Sequence, residues 1–64
     1  MTVKELKKGE YFTKKPTYNP KESQVFIRGD YIRELKKYEC YRFDDINNCC
    51  YLKGRTEVYT EFTF

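Results

Sequence analysis

The strongest constraint on this chain is the alternation in its last stretch. From Val58 to Phe64 an apolar-leaning set (Val58, Thr60, Phe62, Phe64) interleaves with a more polar one (Tyr59, Glu61, Thr63). A period of two is the signature of a strand with one buried face. β-branched and aromatic residues fill it, and these suit a pleated, half-buried surface. The same pattern recurs upstream and predicts strands over 10–14, 24–31, 38–44 and 49–52, with 58–64 as the fifth. Gly29 interrupts the second and marks a bulge or a close backbone approach. Pro16 and Pro20 keep regular structure out of 15–23, the longest loop. Residues 32–37 are too few for a stable helix and predict a charged hairpin tip. Asp44, Asp45, Asn47 and Asn48 form a second tip, because their side chains bond nearby backbone. The expectation is one all-β domain over residues 1–64, a five-stranded antiparallel meander closing as a small barrel or sandwich.

Sixty-four residues bury only about 60% of the surface their unfolded chain exposes. Seven Tyr and five Phe offset that shortage, since each ring can bury roughly 150–250 Å². The inward set is Phe12, Val25, Ile27, Cys40, Leu52, Val58 and Phe62, with Leu6 anchoring a lead-in over residues 1–9. Gly9 supplies a turn there.

The run Leu6-Lys7-Lys8-Gly9-Glu10-Tyr11-Phe12, the meander ending in Leu52-Lys53-Gly54, and Val58 opening the last strand resemble a known pattern. The chain is similar to small uncharacterised proteins of bacteria, phages and mobile elements that look like Src-homology-3-like β-barrels. The resemblance implies a fold and carries no functional residues.

Chemistry is sparse. The chain has no His, which removes the commonest general base and metal ligand near neutral pH. Cys40, Cys49 and Cys50 are odd in number and two are adjacent, unlike a secreted disulfide framework. Reduced, mostly buried thiols in the cytoplasm are the expectation. One bond from Cys40 to Cys49 or Cys50 is sterically open across neighbouring strands. Three cysteines fall short of a four-ligand zinc site. The stretch from Asp45 fails as a calcium loop, since position six is Cys50 and position twelve is Thr56. Asp44 and Asp45 are turn residues rather than a catalytic pair. No glycine-rich phosphate cradle exists. Arg28-Gly29-Asp30 matches an adhesion tripeptide but falls within a strand. No catalytic residue, metal or cofactor, and no small-molecule substrate, is predicted. Neither a signal peptide nor a stretch able to span a bilayer is predicted.

Two surfaces remain. With the inward set fixed, Tyr11, Phe26, Tyr41, Tyr51 and Tyr59 fall outward, and an exposed aromatic patch marks an interface with a protein partner or a second copy. The competing expectation is that the loop around Tyr18 covers this face as a second core. The other surface is basic. Residues 1–37 carry ten Lys and Arg against five acids, a net of +5; residues 38–64 carry three against five, a net of −2. Lys14, Lys15, Lys21, Arg28, Tyr31, Arg33, Lys36 and Lys37 form a candidate nucleic-acid surface. The alternatives are a solvated surface and pairing of the two charge halves within the fold. A non-enzymatic interaction module is the first expectation, and a nucleic-acid-binding accessory protein the second.

Overall fold

The computed structural model describes residues 1–63. Strands β1 (Tyr11–Phe12), β2 (Phe26–Ile32), β3 (Lys37–Arg42) and β4 (Asp45–Leu52) form one antiparallel sheet in the order β1-β2-β3-β4. The all-β class is as expected from the alternation. The fifth strand is not present among the described residues, and the sheet is not closed into a barrel. The C-terminal segment instead makes two isolated bridges, Glu57 with Thr2 and Tyr59 with Thr13. Phe62 is half-buried outside any strand, and Phe64 lies outside the described residues.

The lead-in closes the core. A 3-10 turn at Val3–Glu5 is held by the Glu5 carboxylate, which accepts from the Thr2 amide and hydroxyl, each at 2.9 Å. These bonds hold the Glu5 carboxyl below its usual range. The turn buries Val3 completely and sets Leu6 beside it. Val3 N–H donates to Thr56 O and Lys4 N–H to Gly54 O, both at 3.0 Å, while Val58 N–H donates to Met1 O at 2.8 Å. The N- and C-terminal segments thus run together, and Val3, Leu6 and Val58 pack with Phe12 and Cys40. Phe26, Tyr38, Cys50 and Leu52 complete this core from the sheet. Gly9 has φ +93°, a conformation that a Cβ disfavours, and its N–H reaches Arg28 O at 2.8 Å.

Register corrects one parity assignment. Phe12 lies directly opposite Phe26, so Phe26 faces the core, its ring stacked 5.8 Å from Phe12. Ile27 pairs with Tyr11 and Tyr41 and turns outward. The alternation is ambiguous there because Val25, Phe26 and Ile27 are all apolar. Val25 is fully buried, yet it ends a 3-10 turn at Glu22–Gln24 and lies outside the core cluster.

Gly29 does mark a bulge. Pairing passes from Arg28–Cys40 to Tyr31–Tyr38, so Gly29 and Asp30 oppose Glu39 alone. The extra residue returns Tyr31 to the face that carries Arg28, Cys40 and Tyr38. The tip at 33–36 is the expected turn, with Lys36 at φ +54°. The β3–β4 turn falls at Phe43–Asp44, earlier than expected. Ile46, Asn47 and Asn48 lie between the pairs Arg42–Asp45 and Tyr41–Cys49.

Candidate functional site

The outer face of the sheet is aromatic. Tyr11, Ile27, Tyr41 and Cys49 form one row across all four strands, and Gly29, Glu39 and Tyr51 the next. Tyr11 is 43% exposed and Tyr51 44%, whereas Tyr41 and Ile27 are half-buried. Phe43 meets Tyr11 edge to face at 5.6 Å between ring centroids. Tyr18 is 82% exposed, so its ring does not form a second core.

Glu39 organises this face. Its carboxylate accepts from the Tyr41 hydroxyl and, at 3.4 Å, from the Tyr51 hydroxyl. The bond to Glu39 pushes the Tyr41 phenol up to about 12, aided by desolvation. Gly29 makes room for the Tyr41 ring: a Cβ there would stand 2.8 Å from Tyr41 Cε2. Three of the five expected aromatic residues, Tyr11, Tyr41 and Tyr51, therefore share this face. Tyr59 alternates with the core residue Val58, pairs with Thr13 and is half-buried. Phe26 belongs to the opposite face, as described above.

The basic residues fall into separate groups. Lys14 and Lys15 line a small groove with Thr17 and Gln24, and the Lys14 amine stands 4.5 Å over the Phe26 ring. Arg28 lies on the core face with its guanidinium 4.4 Å over Tyr38, and its buried Nε has no hydrogen-bond partner among the described residues. Tyr31 is 48% exposed, 4.8 Å from the Tyr38 ring. Arg33 is exposed in the hairpin turn, and Lys21 is exposed beside the second 3-10 turn. Lys36 and Lys37 line a groove of about 670 Å³ together with Lys4, Lys53 and Arg55. The last three are not apparent as partners in sequence. The signal was a glycine flanked by two cations, Lys53-Gly54-Arg55, which the Lys4 N–H then ties to the first turn.

The two charge halves pair little with each other among the described residues. Among the described residues the ion pairs are Lys8–Asp30 at 2.8 Å, Arg42–Asp44 at 2.6 Å and the amino terminus with Glu57 at 3.4 Å. Only the last joins the first half to the second.

The thiols are free. Cys40 stands opposite Cys50 in the β3–β4 register. Burial pushes the Cys40 thiol up to about 11, with Cys50 adding to the effect. A protonated, buried thiol is a poor nucleophile at neutral pH. Cys49 points to the outer face and is exposed. Among the described residues no three His, Cys, Asp or Glu side chains cluster as metal ligands, and no helix is long and apolar enough to cross a membrane. No protein-family model, curated protein or solved structure matches the chain.

Proposed function

We propose that the protein is a cytoplasmic, non-enzymatic interaction module that docks on a protein surface through Tyr11, Tyr41 and Tyr51. One observation carries this reading: the three rings share an accessible face of one sheet. Tyrosine supplies large contact area with only two rotatable bonds to order. Here part of that ordering is already present, because Glu39 holds two of the hydroxyls. Preordered rings lose less entropy on docking and leave more of the contact energy as affinity. Glu39 is also already partnered, which lowers the cost of removing water from the face. We also propose a likeness to Src-homology-3-like barrels, supported by the bridge that lays the C-terminal segment beside Thr13.

The test is photocrosslinking in the native cell, with a benzophenone amino acid at Tyr51 and, as control, at the exposed Lys21. A discrete adduct is expected from Tyr51 only, either a second copy or one heterologous protein. Tyr11→Ala and Tyr41→Ala should each abolish most of it, since an interface anchor contributes about 2 kcal/mol or more. Equal, diffuse labelling from both positions overturns the proposal.

A further inference from the structure

We infer that the groove bounded by Lys4, Lys36, Lys37, Lys53 and Arg55 binds the phosphodiester backbone of single-stranded nucleic acid. Three separate segments supply these cations: the N-terminal turn, the β2–β3 hairpin and the turn after β4. Among the described residues no acid lines the groove, and none of the five cations enters an ion pair. Like charges gathered without ion pairs among the described residues repel one another and raise the local potential, which a bound polyanion relieves.

The construction of the groove is specific. Lys4 N–H donates to Gly54 O at 3.0 Å, which brings the two turns together. Gly54 permits that approach, since a Cβ would stand 3.3 Å from Lys4 Cβ and 3.2 Å from Tyr38 Cε1. Lys36 holds φ +54°, where glycine or asparagine is easier to place. Tyr38, adjoining Gly54 and following Lys37, leads to the exposed ring of Tyr31, 4.8 Å away.

Cations that track a backbone beside rings on which bases stack are the common means of holding single strands. Binding to a bilayer surface couples basic charge to an apolar face that buries in the interface. Here five cationic residues line a shallow groove, and among the described residues its one large apolar side chain is Leu35.

Fluorescence anisotropy with a labelled oligothymidylate tests this on the full chain. For about four phosphate contacts, affinity should fall about fifty-fold between about 50 and 200 mM salt. Neutralising two contacts in the double variant Lys53→Gln/Arg55→Gln should lower the slope of log K against log salt by about 1.4. The double variant Lys14→Gln/Lys15→Gln has the same net charge but alters the other groove, and its slope should match the parent. Thermal unfolding of both variants checks that they remain folded. Three results would each overturn the inference: no binding at about 50 mM salt, equal slope changes in the two variants, or binding to phosphatidylserine vesicles without binding to the oligonucleotide. The crosslinking at Tyr51 reads a different face and stands or falls separately.

Discussion

Phe12→Ala is expected to unfold a large fraction of the molecules at 25 °C. Phe12 is fully buried and is the largest such side chain. It joins the sheet to the segments that cover it, stacking on Phe26 and packing with Val3, Leu6, Cys40 and Val58. Removing a buried Phe ring costs about 3–5 kcal/mol, because lost transfer energy and the cavity add. A domain of this size is stable by only roughly 3–10 kcal/mol in all. Urea titration followed by far-ultraviolet circular dichroism measures the change. Phe12→Leu should recover much of the loss by refilling part of the volume. A loss below about 1 kcal/mol for the alanine variant would place Phe12 outside the core.

Gly29→Ala is expected to destabilise by about 1–3 kcal/mol, through overpacking. Strand preference alone gives the opposite sign, since alanine gains about 0.5–1 kcal/mol over glycine inside a strand. Space decides between the two effects. The added Cβ would stand 2.6 Å from the Glu39 carbonyl oxygen, which is backbone and does not turn aside, and 2.8 Å from the Tyr41 ring. Relief requires separating β2 from β3 or displacing Tyr41. Displacement breaks the Tyr41–Glu39 hydrogen bond, so the Tyr41 phenol should move down from about 12 toward its ordinary value of 10.0. Spectrophotometric titration reads that shift, and thermal unfolding reads the stability. A variant more stable than the parent, with its phenol unmoved, would contradict the close approach.

Much of this was legible in residue order. The sheet-forming segments apart from the first half of β4, the bulge at Gly29, the turn at Gly9 and the inward positions of Phe12, Cys40, Leu52 and Val58 follow from period and glycine placement. Phe26 was not legible. Three consecutive apolar residues give no parity signal, and only the partner strand decides which of them meets Phe12. The final segment misled for a related reason. Its alternation describes which residues are buried, and Val58 is buried, but a strand also needs a continuous partner. Here Thr2 and Thr13 each supply one bridge, on two different segments.

The aromatic face was partly legible, because Tyr11, Tyr41 and Tyr51 lie in strands with clear alternation. The tie between Glu39 and its two tyrosines depends on a cross-strand register that sequence does not specify. The basic groove was least legible. Its cations lie far apart in the chain and meet only because the first turn hydrogen-bonds to the turn at Gly54.

Assigned cross-strand nuclear Overhauser contacts would test the two-sided sheet most directly. Ring protons of Phe12 and Phe26 should show mutual contacts, as should those of Tyr11 and Phe43, while Phe26 shows none to Tyr11 or Tyr41. Contacts from Phe26 to Tyr41, with none to Phe12, would turn the second strand over and remove both the core and the docking face built on it.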